Sequence, residues 1–310
     1  MIDLKRPFSR RDFLVGLSSF VAGASVGFVG SRHWLFNYTE PGKQYLLQRK
    51  EEDLARRLLP PGGKAVSIVF KDALKKLVEA GVIDLEKWNT LYSKKRMEAP
   101  DWIATALLSH SEHPIHFDEI SAPFLLNLLW ALGISNKTRF NERSPLRGKR
   151  LPNFASTGGW KLGREQNGAA YFNQVSNVLL NEEQEQLVFE MAKGIYRPCC
   201  NNSTLFQDCN HGSAMLGLLE LGASQGKREA ELYAIALTAN TYWFPESYLA
   251  IAIYLEDIEE NRRLKDVPPR ELLSSFFSSA QGFKINVLSN LERKVLPRSK
   301  GRGSSGRCSA

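Results

Sequence analysis

The chain has 310 residues, of which 43% are hydrophobic and 24% are charged, and this composition excludes a wholly disordered protein. The formal net charge is +8, but residues 1–12 carry +2 of it and residues 297–310 carry +4, which leaves +2 for the residues between. Because so little positive charge remains for a basic groove, nucleic acid is not an expected partner.

The amino-terminal residues carry an export motif. Residues 9–14 read SRRDFL, and a stretch without any charge runs from Phe13 to Gly30. This arrangement resembles the twin-arginine export signal, in which S-R-R-x-F-L precedes a weakly apolar segment. It predicts that the twin-arginine export machinery is a partner, and that the protein works beyond the cytoplasmic membrane, in the periplasm or cell envelope.

Residues 1–36 are expected to form either a removable signal or an uncleaved membrane anchor. Residues 22–24, AGA, fit a small-residue processing site. Alternatively, residues 13–30 remain in the membrane, since eighteen uncharged residues reach the lower limit for spanning a bilayer. The sequence leaves both outcomes open.

The next segment, residues 37–63, is expected to be a charged helical linker. Its helix is predicted over residues 44–59, and the PPGG breaker at residues 60–63 ends it. A short strand is predicted at residues 64–70. Helical spacing of apolar residues then starts at Leu74, and further helices are predicted from Asp84 and over residues 101–109.

Residues 122–132 read APFLLNLLWAL and are apolar on nearly every face. A helix of eleven residues is too short to cross a membrane, so a buried central helix is predicted. Residues 135–170 are rich in Gly, Pro, Asn and Arg and predict a long irregular excursion. Within it, STGGW at residues 156–160 is either a turn or a loop that lies over a site.

Helices are predicted again in the last third of the chain, at residues 181–193, 211–225, 229–242, 246–259 and 269–279. Few segments alternate with period two. The expected fold is therefore mainly α, a single-domain helical bundle over residues 64–296. Residues 297–310 are predicted to be a disordered basic tail, which leaves Cys308 there as a lone thiol.

Residues 196–212 read YRPCCNNSTLFQDCNHG and place three of the four cysteines beside a histidine. Cys199, Cys200, Cys209 and His211 form a candidate set of three sulfur ligands and one nitrogen ligand. Thiolate and imidazole suit a soft ion such as zinc, copper or iron, in a structural, redox or metal-handling role. Neighbouring side chains of an extended chain point in opposite directions, so Cys199 and Cys200 are not both expected to reach one ion. Asp208 or a residue distant in the sequence is then the alternative fourth ligand.

Two other interpretations of these cysteines stay open. A Cys200–Cys209 disulfide would staple a non-catalytic scaffold or binding domain in an oxidising compartment. Cys209 would instead be the nucleophile of a thiol-dependent hydrolase, since it stands at the start of a predicted helix with His211 nearby. No phosphate loop or nucleophile elbow is present, so no particular reaction is predicted.

A second group of candidate ligands lies at residues 110–119, HSEHPIHFDE. His110, His113 and His116 recur every three residues, but Pro114 would interrupt a helix that aligned them. This segment is therefore predicted to be a connection into the buried helix. A metal role for it would gain support if it met the cysteine loop in space.

Several segments resemble a group of bacterial exported proteins. They are residues 78–88, 125–137, 156–163, 195–226 and 241–248, and the cysteine segment, of the type YRPCCNNSTxFxDCNHG, is the most specific of them. The resemblance implies that these segments belong to one domain, and it carries no activity with it.

Overall fold

The computed structural model describes residues 40–259 and 262–291. The chain divides into two compact units, residues 1–52 and residues 53–310. Of the first unit, only residues 40–52 are described, and they form the start of helix α1 (Glu40–Leu58), which confirms the predicted charged helix. The predicted signal or anchor and the predicted tail lie outside the described residues. No helix among the described residues combines the length and the apolar character needed to cross a bilayer.

The second unit is mainly α-helical, as predicted. In chain order its helices after α1 are α2 (Ala73–Glu79), α3 (Leu85–Lys94), α4 (Asp101–Leu108), α5 (Ala122–Ser135), α6 (Arg139–Glu142), α7 (Glu182–Gly194), α8 (Asn210–Ser224), α9 (Glu229–Trp243), α10 (Pro245–Asp257), α11 (Pro269–Leu272), α12 (Ser275–Ser278) and α13 (Ala280–Gly282). Local signals explain several helix starts. Asp84 caps α3 by accepting the Lys87 N–H, and Asn181 and Gln184 form the capping box of α7.

A two-stranded antiparallel sheet joins β1 (Lys64–Lys71) to β2 (Ser111–Phe117). The prediction of β1 is confirmed. The prediction of a plain connection around residues 110–119 is wrong, because most of this segment is β2. Pro114 lies opposite Val69 between two irregularities of the register. A proline is tolerated at such a bulge, and the sequence pattern alone did not reveal the strand.

Helices α5 and α8 form the centre of the second unit, and their contact is the most extensive between two helices of the described chain. Most residues of both helices are buried, 11 of 14 in α5 and 12 of 15 in α8, which confirms the predicted central helix. Gly133 and Gly217 face each other at the crossing. A Cβ added to Gly217 would lie 2.7 Å from the Gly133 nitrogen, and a Cβ added to Gly133 would lie 2.9 Å from the Gly217 nitrogen. The helices approach this closely because neither position has a side chain.

The predicted irregular excursion is confirmed. Between α5 and α7 the chain forms only α6 and two short 3₁₀ turns, Leu151–Asn153 and Gly168–Tyr171. It is nevertheless tied to the core: Trp130 Nε1 donates to the Ser156 carbonyl at 2.7 Å, and Trp160 Nε1 donates to the Val82 carbonyl at 2.9 Å. The first bond ties the STGGW segment to α5, and the second ties it to the connection between α2 and α3.

The prediction of one helix over residues 269–279 is wrong. The chain forms two short helices there, α11 and α12, and continues into α13 and a π-helical segment, Phe283–Leu288. At the break between α11 and α12, the Leu273 carbonyl accepts the Tyr196 N–H at 2.8 Å. After α12, the Ala280 N–H donates to the Cys200 carbonyl at 3.0 Å. Both contacts with the distant cysteine segment lie where the helix is broken.

We expect the stability of the protein to fall as pH rises above about 5, because of Glu220 in α8. This side chain is fully buried, neither carboxylate oxygen has a well-formed hydrogen bond in the described structure, and burial raises its pKa well above the ordinary value. Folding therefore favours the protonated acid. The contribution of this protonated side chain to the free energy of unfolding is complete below the unfolded-state pKa of about 4.3. It is lost as pH rises through the folded-state pKa.

The Glu220→Gln variant keeps the shape of the side chain and removes its titration. In urea unfolding at about pH 5 and about pH 8, we expect it to reduce the loss of stability on going to the higher pH. Glu98→Gln, at an exposed position, should leave that difference unchanged. A pH dependence identical in the wild type and Glu220→Gln would contradict the assignment.

Candidate metal centre

The turn at Pro198 brings two adjacent cysteines to the same side of the chain. After α7 ends at Gly194, the Cys200 N–H donates to the Arg197 carbonyl at 3.3 Å and closes a turn with Pro198 in its second position. The expectation that Cys199 and Cys200 diverge assumed an extended chain. It is wrong here because the chain reverses direction at these residues.

The three cysteine sulfurs form a nearly equilateral triangle. The Sγ atoms of Cys199 and Cys200 are 4.0 Å apart, and each lies 3.8 Å from Cys209 Sγ. The centre of a triangle with these sides is about 2.2 Å from each corner, close to the zinc–sulfur bond length of about 2.3 Å. All three residues are part-buried free thiols. The predicted convergence of the three sulfurs is confirmed.

A buried arginine lies against this triangle. Arg197 has no exposed surface, and its Nη2 donates to Cys200 Sγ at 3.1 Å and to Cys209 Sγ at 3.4 Å. Its Nη1 donates to the Asn202 carbonyl at 3.0 Å. Burial by itself would lower the pKa of Arg197, but the facing sulfurs raise it, so the guanidinium remains charged. Sequence reasoning missed this residue, although its position two residues before Cys199 was a signal.

Cys209 is the cap of helix α8. Its sulfur accepts the Gly212 N–H at 3.3 Å, so it lies at the positive end of the helix dipole. Hydrogen bonds from the thiols of Cys199 and Cys200, together with the charge of Arg197, lower the pKa of Cys209. The pKa of Cys199 is raised, chiefly because its thiol donates a hydrogen bond to Cys200. The triangle therefore holds its negative charge first on Cys209.

His211 does not join the three sulfurs in the group of ligand atoms that lie within 4.8 Å of one another. Its ring packs 4.5 Å from the Phe244 ring, between centroids, in the first turn of α8. Its Nδ1 is buried without a hydrogen-bond partner in the described residues. Burial lowers the pKa of His211 to about 4, so the ring is neutral at pH 7 and able to act as a ligand.

Asp208 offers a second unpartnered ligand atom beside the triangle. Its Oδ2 accepts a hydrogen bond from Asn202 Nδ2 at 2.7 Å, while its Oδ1 is buried without a hydrogen-bond partner in the described part of the chain. This oxygen lies 4.0 Å from Arg197 Nη2. Burial raises the pKa of the Asp208 carboxyl.

Backbone hydrogen bonds hold the cysteine loop to the rest of the unit. The Thr204 N–H donates to the Ile195 carbonyl at 2.9 Å and closes the base of the loop. The Ser156 N–H donates to the Asp208 carbonyl at 3.0 Å, so the STGGW segment does reach the loop. Together with the bond from Ala280 to Cys200, these contacts fix the positions of the sulfurs from three parts of the chain.

The histidines of residues 110–116 form no metal-binding group. His110 contacts Asp72 and Glu112, His113 stacks on Trp102 with 5.0 Å between ring centroids, and His116 faces Asp118 at 3.7 Å. The one group of metal-binding geometry in the described residues is the cysteine triangle. The two candidate clusters therefore do not meet.

The disulfide alternative requires a bond between Cys200 and Cys209, whereas the structure has free thiols at both positions. Cys200 and Cys209 are free, and their sulfurs are 3.8 Å apart, whereas bonded sulfurs lie about 2.05 Å apart. Comparison with other proteins does not decide between interpretations, because no family model, no curated protein and no solved structure matches this chain. The candidate centre is thus defined by its own geometry, three free sulfurs around a common centre with a buried arginine beside them.

Proposed function

We propose that the protein binds one soft metal ion, zinc before copper or iron, through Cys199, Cys200 and Cys209. The observation that carries this proposal is the sulfur triangle, whose centre lies one metal–sulfur bond length from each corner. Without an ion, the Cys199 and Cys200 thiols keep their protons and donate to Cys209. A bound cation would let all three sulfurs ionise, because it offsets the repulsion between the thiolates.

The charge of the surroundings favours a divalent ion. Three thiolates around a divalent ion carry one net negative charge, and the buried Arg197 guanidinium carries one positive charge. The ion, the three thiolates and Arg197 together are then neutral, which lowers the cost of burying their charge, and the Asp208 carboxyl, 4.0 Å from Arg197, lies beside them. A monovalent copper ion would leave the thiolates and Arg197 with one net negative charge.

The fourth coordination position has two candidates, Asp208 and His211. Each has a buried atom, Asp208 Oδ1 or His211 Nδ1, without a hydrogen-bond partner in the described residues. Buried polar atoms are nearly always partnered, so an atom without a partner is consistent with a missing ligand contact. Neither atom lies within 4.8 Å of all three sulfurs, so either side chain would have to move to reach the ion. A neutral imidazole nitrogen is a usual fourth zinc ligand beside three thiolates, and we therefore favour His211.

A structural role for the ion agrees with the connections of the loop. Cys199 and Cys200 come from the turn after α7, and Cys209 comes from the N-terminus of α8. An ion would cross-link these two points, and the bond between Ala280 and Cys200 would extend the support to α13. In this role the ion stabilises the fold by the free energy of its binding.

We also propose that the protein works in the cell envelope after export in its folded, metal-loaded form. The SRRDFL motif at residues 9–14 supports this location, because the twin-arginine route suits proteins that fold around a cofactor before export. Residues 13–30 would then either be removed or keep the protein at the membrane.

Elemental analysis tests the metal proposal directly. The full chain, purified under reducing conditions without chelator, should contain about one equivalent of metal, and the metal-free protein should take up one equivalent of Zn²⁺ with protection of three thiols from alkylation. Protein that retains neither Zn²⁺ nor Cu⁺ after loading would overturn the proposal.

A thiol catalyst is the second candidate, and the environment of Cys209 favours it. The Gly212 N–H and Arg197 both stabilise a thiolate at this residue. Under this function Cys209 would react with iodoacetamide much faster than Cys199 or Cys200, and Zn²⁺ would give no protection. The same alkylation experiment therefore separates the two functions.

A further inference from the structure

A second candidate site, independent of the sulfur triangle, is a cavity of about 390 Å³ in the unit of residues 53–310. Its volume is within the range of small-molecule binding sites, about 300–1,000 Å³. Four leucines from three elements supply its apolar walls: Leu54 and Leu58 of α1, Leu237 of α9, and Leu264 of a 3₁₀ turn, Leu264–Asp266. An occupant of this space would bury apolar surface, which favours a hydrocarbon body.

The charged groups that line the cavity are mostly cationic. Four cationic side chains line it, and only one acidic side chain does: the cations are Arg57, Lys64, Arg263 and Lys265, and the acid is Glu256. Arg57 lies 3.7 Å from Glu256, and Arg263 lies 2.7 Å from Asp266. Lys64 and Lys265, in contrast, have no acidic partner within the described ranges. Two uncompensated ammonium groups beside an apolar cavity favour an occupant with an anionic head.

The ring of Tyr242 adds to the apolar wall of the same cavity. Tyr242 is 8% exposed, and its hydroxyl oxygen is buried away from the cavity, where Asp118 and Glu119 lie nearby. The ring stacks on Phe117, with 6.1 Å between ring centroids, and Phe117 pairs with Lys64 in the sheet. An aromatic wall and an unpaired cation therefore lie on adjoining elements.

We propose that this cavity binds a single-chain anionic amphiphile, a molecule with one hydrocarbon chain and a carboxylate or phosphate head. The chain would lie against the four leucines. The head would interact with Lys64 and Lys265. Unpaired cations beside an apolar space are the features that select such a ligand over an uncharged one.

Titration calorimetry of the full chain with three twelve-carbon probes below their micelle-forming concentrations tests the proposal. Laurate, dodecyl phosphate or both should bind with a stoichiometry of one, and dodecanol should bind at least about 10-fold more weakly because it lacks the charge. The double variant Lys64→Glu with Lys265→Glu should weaken binding of the anionic probes by about 10-fold or more. Both lysines are exposed, so the fold should survive the change.

A matched variant controls for overall charge. Lys94→Glu with Lys95→Glu makes the same change in net charge at exposed positions that do not line the cavity, and should leave binding within about 2-fold of the wild type. No saturable binding of either anionic probe, equal binding of dodecanol, or an equal effect of the two double variants would overturn the proposal. None of these results depends on the metal content of the protein.

Discussion

Replacing Cys209 by serine should lower the affinity for Zn²⁺ by at least about 100-fold, because one of the three sulfur ligands is lost. Serine is a suitable substitution at this position because it removes the sulfur ligand and keeps the helix cap. Its hydroxyl can accept the Gly212 N–H as the Cys209 sulfur does, and serine is among the preferred helix N-caps. The metal-free variant should therefore fold like the wild type, and the change should appear only when metal is present.

The two measurements are Zn²⁺ affinity by competition with a chelating dye and thermal unfolding with and without metal. With free Zn²⁺ at 100 times the wild-type Kd, binding should stabilise the wild type by about 2.7 kcal/mol and a 100-fold weaker variant by about 0.4 kcal/mol. Cys308→Ser makes the same chemical change outside the triangle and should behave like the wild type. Equal losses in the two variants, or no loss in Cys209→Ser, would contradict the assigned site.

Replacing Gly217 by alanine should destabilise the protein by about 3 kcal/mol, the upper part of the range for overpacking a closed core. The added Cβ would lie 2.7 Å from the Gly133 nitrogen, which belongs to the backbone of α5 and cannot rotate away. The two central helices would have to separate along their whole contact. This cost exceeds the gain of about 1 kcal/mol that alanine brings over glycine within a helix.

Thermal unfolding of the metal-free protein measures this effect, and the midpoint should fall by about 10 °C. Gly62→Ala is the control, because an added Cβ there would meet nothing within 4 Å and the residue lies in the loop before β1. It should leave the midpoint nearly unchanged. A Gly217→Ala protein that is as stable as the wild type would show that α5 and α8 are farther apart at the crossing.

Most of the helices follow from local signals that the sequence displays. The capping pair Asn181 and Gln184, the stop at Gly226 and the apolar run of residues 122–132 act within one helix, so spacing and residue type suffice to predict them. The strand β2 and the broken carboxyl-terminal helices escaped prediction. Their conformations depend on partners far along the chain, β1 in the first case and Tyr196 and Cys200 in the second.

The sequence by itself determined that three soft ligands lie in one short loop between two helices, because cysteine spacing is local. Only the tertiary structure decided in which directions their side chains point. The turn at Pro198 turned Cys199 and Cys200 toward Cys209, and the packing of the loop buried Arg197 beneath them, where its charge opposes theirs. The ring of His211 packs on Phe244 from a different part of the chain. Side-chain direction and burial depend on such distant contacts, so residue order alone could not supply them.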